Sequence, residues 1–556
     1  MSQLSGVNSI KIGIDFGTTY SGIAWAYSST PEKVNVVGKW VAGRSRTSGK
    51  APSEIAYTSS GVKWGFGIPI KEPTLTWFKL LLDPTKYPLA NSTNSPLART
   101  KQLIPHGKNP VDVVADYLSE LYKHTINHLE KTLGKSTVEV SPLDFVLTVP
   151  AVWSDAAKNL TLQAAELAGF RRKKSIRLIS EPEAAAVCCL KEMEPKNLNV
   201  GDTFVVADCG GGTVDVISYT ITRKFPKLEV VECVEGTGGL CGSTVLNERF
   251  EELVRDRIGD RFSRFDKMKH EGRVYMMKEF NDSLKRNFTD SEDEDLFTCP
   301  VPGIADDPTA GIEAGMFIID RDDMRKIFNP VVQKVAQLVQ QQVDEVEKLM
   351  TRQVKALLLV GGFGESEYLR SRLQAEIRTR SGSEISILQP PNAWTAVVRG
   401  AVMRGLEGEM VRIRKVARNY GNSCSVPFME GYHPKRDGYI DPHDGEYMCR
   451  NRMRWYIRKF RARMSKRATR LDIHFVSIKS PIILTLPADV NPVCTLEVDP
   501  NVIPREKFKR KIGINGLPYF KLNFDLLMSI QSASILFEFD VDGTIYRDVK
   551  AFYHYA

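Results

Sequence analysis

The sequence predicts an α/β protein built from two similar lobes, followed by a smaller β-rich domain. Three observations carry that expectation. The first is an internal repeat: IKIGIDFGTTYSGIAW and TFVVADCGGGTVDVISY each read strand, Asp-x-Gly, a Thr-bearing turn, then a second strand, with Asp208 lying 193 residues after Asp15. The second is that short apolar runs alternate with helical-period segments up to about residue 405. The third is a change near residue 410, beyond which segments such as CTLEV, YFKLNF and SILFEFDV alternate and are rich in β-branched and aromatic residues.

Asp15-Phe16-Gly17-Thr18-Thr19 turns the first hairpin. VDVVADYLSELYKHTINHLEKTL sets Val114, Leu118, Leu121 and Leu129 at helical spacing. AAKNLTLQAAELAGF opens after Ser154-Asp155, a capping pair, and closes at Gly169. Asp208 to Asp215, DCGGGTVD, turns the second hairpin. The run from Val331 to Met350 reads as an amphipathic helix. ALLLVGGFGESEYLRSRL differs from the two hairpins: Ala356–Val360 reads as a buried strand, Gly361 and Gly362 as a turn, and Glu365 onward as helix. In the last part, turn residues such as Asp542-Gly543 separate the strands.

Composition excludes several classes. The 556 residues are 42% apolar and 26% charged, which is globular composition. No run approaches the eighteen or so apolar residues of a membrane helix, and MSQLSGVNSIKIGI does not read as a signal peptide. Nine scattered cysteines without a CxxC pair or zinc spacing fit a reducing compartment, so a cytoplasmic location is expected, with a nuclear one open. The sequons at Asn91, Asn159, Asn281 and Asn287 are then chance matches. The net charge of +9 is modest, but Arg450–Arg470 packs ten basic residues into twenty-one. Such a run reads either as a solvated helix or loop, or as a patch for an acidic partner. Without an accompanying RNA-binding or zinc-finger motif, nucleic acid is a minor option.

The glycine turns carry the chemistry. A phosphate chain is held by converging backbone N–H groups and by a divalent cation, and glycine permits both the turn and the close approach. Magnesium keeps several waters, so one or two carboxylates per site suffice. Asp15 and Asp208 each end a strand ahead of a glycine turn; facing each other, two such turns would clamp phosphates with the metal between. One glycine turn alone is equally a structural hairpin. The segment Gly43–Lys50, GRSRTSGK, approximates a P-loop, but five residues separate its glycines and Ala51 stands where Ser or Thr would bind metal. There is no GxGxxG opening a helix after a strand, so a Rossmann dinucleotide site is unsupported.

Five motifs in order, IGIDFGTTYSG, FVLTVPAVWSDAAKNLTLQAAELAGF, LISEPEAAA, VVADCGGGTVDV and LLLVGGFGES, resemble the ATPase domain of the heat shock protein 70 family, within the actin-like ATPase superfamily. The divergence elsewhere resembles the heat shock 70 kDa protein 12-like branch. The resemblance implies a tail at 1–7, a nucleotide-binding domain at 8–405 (lobe I about 8–197 and 375–405, lobe II about 198–374) with duplicated ribonuclease-H-like lobes, and a β-rich domain at 406–556. It implies ATP or ADP and Mg2+ as cofactors, with Asp15 and Asp208 holding the metal through water. Gly17, Thr18, Thr19 and Tyr20 would line the phosphates on one side; Gly210, Gly211, Gly212 and Thr213 would do so on the other. Lys79 falls near the position of a lysine at the γ-phosphate, or is a solvated side chain. Glu181 matches a metal-proximal glutamate, and also sits where a helix N-terminus favours a carboxylate. Gly239 and Gly242 resemble the loop before the next helix, Lys285 and Arg286 a pair packed on adenosine, Gly361 and Gly362 the adenosine turn. Pro150 and Lys158 match an interlobe switch. Water would attack the γ-phosphate, oriented by Lys79 and an aspartate, and rotation of the lobes would follow.

The sequence also departs from the family. Glu365 stands near the place of an adenine-stacking arginine, and Trp394 stands where an aspartate is usual; Trp394 offers a stacking face, although large aromatics usually bury in a core. The interdomain join, RGLEGEMVRIRKVARNYGNS, is basic and lacks an acidic leucine-rich linker, and no helical lid follows. The expected function is a chaperone-like ATP-binding protein with slow Mg-dependent hydrolysis, partnered by polypeptide clients or co-chaperones. The alternatives are a nucleotide-sensing scaffold that hydrolyses little and recruits a partner through the basic domain, and a small-molecule kinase of the same superfamily.

Overall fold

The computed structural model describes residues 8–42, 47–85, 96–170, 176–193, 198–262, 271–293, 296–415, 420–457, 462–463, 467–475, 482–484, 494–546 and 549–553. The expected tail at 1–7, the start of the P-loop-like segment at 43–46, the sequon at Asn91 and parts of the basic run lie outside the described residues. The chain forms two compact units: residues 1–153 with 160–410, and 154–159 with 411–556.

The repeat read from the sequence is a repeat of topology. In the first sheet, Ile10–Phe16 pairs antiparallel with Tyr20–Tyr27 and parallel with Leu143–Val149, which pairs parallel with Ile176–Ser180. In the second, Thr203–Cys209 pairs antiparallel with Val214–Arg223 and parallel with Val354–Val360, which pairs parallel with Ser386–Leu388. Both central strands are almost wholly buried, as strands covered on both faces are. In each, the last residue but one is an aspartate, Asp15 or Asp208, at the C-terminal end of the strand.

Helices cover the sheets. Pro110–Leu133 starts at a capping box between Asn109 and Asp112 and buries Val114, Leu118, Leu121 and Leu129. The helix expected from Val331 begins ten residues earlier: Arg321–Met350 runs through Pro330, and its true start is the Asp320–Asp323 capping box. Its apolar face joins the second lobe's core through Phe328, Val335, Val339 and Val346.

The helices Glu181–Glu192 and Ala396–Glu407 cross at Gly400, where a Cβ would lie 1.7 Å from the Ala184 carbonyl oxygen. Only a residue without a side chain lets two backbones come this close. Gly400→Val should therefore destabilise the protein by about 3 kcal/mol or more, read as a lowered urea midpoint with an unchanged slope.

In the second unit, Tyr420–Pro427 pairs with Tyr447–Ile457, and Pro518–Ile530 lies between Arg467–Phe475 and Ile535–Val541. Asp542-Gly543 is a two-residue turn with both φ angles positive, joining Val541 to Thr544. Leu522, Phe524, Leu526, Met528 and Phe539 centre its core, with Phe524 and Phe539 stacked at 4.4 Å. The start of the basic run is neither helix nor loop, as one reading expected, but strand: Arg450–Arg454 belong to Tyr447–Ile457, where alternation of Met448, Arg450, Arg452 and Arg454 with other residues suits a sheet. Among the described residues, α-helix ends with Ala396–Glu407, and only short 3-10 turns follow. No helix of the described residues is long and apolar enough to cross a membrane.

Candidate functional site

The site is built by the edge of each sheet. Asp15 and Asp208 close their strands just ahead of a turn, and each turn is pinned from outside. In the first, Ser53 N–H donates to the Thr19 carbonyl (2.8 Å) and the Ser21 and Ser53 hydroxyls meet at 2.8 Å. In the second, the carbonyls of Gly210, Gly211 and Gly212 accept from Ser243, Thr244 and Gly242 at 3.2, 2.9 and 3.3 Å, at the start of helix Thr244–Ile258. A turn tied down by its carbonyls can offer its amides to an anion.

The two turns face each other. A Cβ at Gly211 would lie 2.1 Å from Thr19 Oγ1, and one at Gly212 would lie 2.7 Å from Thr18 Cγ2. The third turn closes the same place: Gly361 has φ +86°, and a Cβ there would lie 2.4 Å from the Cys209 carbonyl and 2.5 Å from Asp208 Oδ1. Three glycine turns far apart in the chain therefore meet within van der Waals range, and in each case an added side chain would push them apart.

They enclose a cleft of about 1240 Å³. Asp15, Gly17, Thr18, Thr19, Tyr20, Glu181, Asp208, Gly210, Gly211, Gly212, Thr213, Lys285, Arg286, Gly361 and Gly362, all expected from the sequence, line it. Gly242 does not line it but packs beneath Gly211, where a Cβ would lie 2.3 Å from the Gly211 carbonyl. Gly239 stands apart: it pairs with Val214 at the back of the second hairpin, against Leu338. Lys79 is neither solvated nor on the wall. It is 1% exposed, donates to Glu181 Oε1 at 2.6 Å, and lies over the rings of Phe16 and Trp153 at 5.4 and 5.3 Å. It reaches the cleft through the glutamate that covers it.

Trp394 does not enter a core. It is half-buried on the cleft wall, with Arg286 over its ring at 5.6 Å and the Tyr20 ring edge-on at 5.6 Å. Gly362 leaves room for the indole, and Glu365 Oε1 accepts from the Trp394 backbone N–H at 2.9 Å. The two departures from the family pattern thus touch each other at one end of the cleft. Beside them Lys285, bonded to Asn281 and Asn247 at 2.6 and 3.0 Å, is pushed down to about 7 by burial and by Arg286.

The carboxylates dominate the other end. Asp208 and Asp215 are direct partners across the second hairpin, and like charges opposite each other repel. Burial, then Glu181 and Asp15, hold the Asp208 carboxyl well above the usual range. Burial and Glu181 push Asp215 up to about 7. Neither Asp215 oxygen finds a hydrogen-bond partner of normal geometry among the described residues; the charge of Lys79, then the Val152 amide and the Thr213 hydroxyl, offset only part of that rise. Glu181 is raised by burial against the opposing pull of Lys79.

Two residues escaped the sequence reading. Asp215 was visible only as a neighbour of the turn. Lys50 ends the segment set aside as a failed P-loop, yet its Nζ lies 2.5 Å from Asp15 Oδ2, with Thr148 Oγ1 on the other carboxylate oxygen at 3.1 Å. Its signal, a lysine between Gly49 and the edge strand Ala51–Pro52, carries no local pattern that points to Asp15.

A divalent cation suits this donor set. Four carboxylates, Asp15, Glu181, Asp208 and Asp215, face two lysines, Lys50 and Lys79, and among the described residues neither Asp215 oxygen accepts a hydrogen bond of normal geometry. Among the described residues no three acidic, histidine or cysteine side chains converge on one point as a direct cage. That is the pattern for magnesium held through its waters by a few carboxylates and by phosphate oxygens.

Paired lobes with facing glycine turns over buried carboxylates define a two-lobed nucleotide-binding protein of the actin-like class. The Hsp70 protein family matches residues 87–405, more than half of the chain, and the chain belongs to that family. It is 25% identical over 521 residues to human Heat shock 70 kDa protein 12A, covering 79% of this chain and 75% of that one. To human Heat shock 70 kDa protein 12B it is 25% identical over 529 residues, covering 79% and 74%. Against the Chaperone protein DnaK of Thermoplasma volcanium the identity is 25% over 405 residues, 71% and 58% of the two chains. It is thus a divergent member, akin to the 12A and 12B proteins.

Proposed function

We propose that this protein binds ATP with Mg2+ between its lobes, hydrolyses it slowly, and uses the change at the γ-phosphate to move one lobe against the other as a chaperone-like device. The observation that carries the reading is the meeting of Gly211 and Gly212 with Thr19 and Thr18 directly beside Asp15 and Asp208. The magnesium, when bound, would neutralise phosphate charge and be held through water by Asp15 and Asp208. The chain's own residues do the rest. The two turns grip the phosphates from opposite lobes through backbone amides. Lys79 fixes Glu181 in place, and the glutamate, with Asp208 and Asp215, gives polar anchors for an attacking water. At the far end Arg286, Trp394 and Tyr20 offer flat faces to a base. Polypeptide clients or co-chaperones are the partners this reading expects, and a cytoplasmic setting would keep its nine free thiols reduced.

One observation favours the second reading, a nucleotide-sensing scaffold. Lys79 is locked behind Glu181 rather than presented to the cleft, which withdraws a cation from the position where hydrolysis needs it. In that reading the basic strands of the second unit recruit an acidic partner.

Single-turnover hydrolysis with Asp208→Asn as control separates the two. The chaperone reading expects wild-type turnover to exceed that of the variant by about a hundredfold, with ATP affinities within about tenfold. Equal, negligible turnover in both, with binding retained, would establish the scaffold.

A further inference from the structure

The two halves of the cleft are not chemically alike, and the difference is Lys50. In the second hairpin the residue opposite Asp208 is Asp215; in the first, the residue opposite Asp15 is Gly22. The space a side chain would take there is filled by the stem of Lys50, whose Cγ would lie 3.2 Å from a Cβ at position 22. The lysine is held down the hairpin's face, 6% exposed, with its ammonium on Asp15 Oδ2 at 2.5 Å. It also lines the cleft, and stands near enough to Asp208 and Glu181 to favour their charged forms. One half therefore brings a second acid, and the other brings a cation to the acid that would hold the metal's water shell.

We infer that Lys50 is a tethered cation at the metal side of the cleft, so that this protein retains polyphosphate affinity without a divalent ion. A buried ammonium among three carboxylates supplies, without leaving the chain, part of the charge that a free cation would bring. It also competes: a hydrated metal can engage Asp15 only if Lys50 releases it or shares it. The inference rests on the nucleotide-binding reading and adds a specificity to it, namely tolerance of metal removal.

The test is a titration of the full chain with ATP, once with magnesium and once with excess EDTA, for wild type, Lys50→Met and Lys50→Arg. Methionine keeps the buried stem and removes the charge; arginine restores the charge. For wild type, the affinity should fall by no more than about tenfold on metal removal. For Lys50→Met it should fall by about a hundredfold or more, and Lys50→Arg should recover most of the difference. Wild type losing affinity in EDTA as steeply as Lys50→Met overturns the inference while leaving nucleotide binding intact. Folded wild type that binds ATP under neither condition overturns the nucleotide reading itself, and the inference with it. If Lys50→Met fails to fold, a wild-type affinity that falls by about a hundredfold or more in EDTA still overturns the inference, and Lys50→Gln replaces the methionine variant in the comparison.

Discussion

Gly211→Val should abolish nucleotide binding without unfolding the protein: ATP affinity is expected to fall by at least about a hundredfold, with a lowered but cooperative thermal transition. The reason is the contact between the turns. A Cβ at 211 would lie 2.1 Å from Thr19 Oγ1, 2.7 Å from its Cγ2 and 2.9 Å from its Cβ. Because the whole threonine side chain is in the way, a change of its rotamer gives no relief. Either Thr19 moves with its backbone or the lobes part. Overpacking of this kind costs about 1–3 kcal/mol, and here the cost falls on the closed arrangement that phosphate would need. Thr19→Gly removes the obstructing atoms, so in a double-mutant cycle the second substitution should be far less harmful in the Gly211→Val background than alone. Strict additivity of the two would mean that the turns do not touch in solution.

A second large effect is expected in the pH dependence of the nucleotide-free protein. Asp215 is raised to about 7 by burial and by Glu181, against an ordinary value of 3.8. A group whose folded value lies above its unfolded value binds more protons when folded. Its contribution is full below about pH 4 and is lost as the pH rises through about 7. The difference amounts to on the order of 4 kcal/mol for this one group. Asp215→Asn should therefore flatten the stability curve across that window and make the free protein more stable than wild type near neutrality. Lys285, lowered to about 7, acts in the opposite sense and only at higher pH, while Glu54, Glu181 and Asp208 are raised in the same sense as Asp215, so the Asp215 contribution is read as the difference between the wild-type and variant curves from urea unfolding between about pH 4.5 and 6.5. Parallel curves for wild type and variant would show that Asp215 is not held protonated. A ligand that brings a divalent cation should reverse the trend, because it stabilises the ionised carboxylates.

The lobes were legible because their signals are local. Strand, aspartate, glycine turn and second strand all fall within seventeen residues in each hairpin, and repetition makes the pattern hard to miss. Even the helix that began earlier than expected, Arg321–Met350, carried its cue in the Asp320–Asp323 cap; Pro330 obscured it because proline usually ends helices rather than sitting inside them. What was not legible lies between distant segments. Lys50 meets Asp15 across thirty-five positions, and nothing near Gly49 announces the pairing. Lys79 could be placed near the site, but its burial behind Glu181 depends on Phe16 and Trp153 beneath it. Residue type leaves Trp394 open between a stacking face and a core, and only Gly362, Tyr20 and Arg286, distant in the chain, give it a place on the wall. Arg450–Arg454 looked like a solvated helix or loop because charge dominates its composition, while its strand pairing with Tyr420–Pro427 depends on a partner segment some thirty residues away.

On this reading the cleft between the two lobes grips a nucleoside triphosphate through facing turns. Calorimetric titration of the full chain with ATP and magnesium tests it most directly. The geometry predicts one saturable site per chain, lost in Gly211→Val and kept in Asp208→Asn. A folded wild-type chain that gives no binding heat, or a Gly211→Val variant that binds as tightly as wild type, would contradict it.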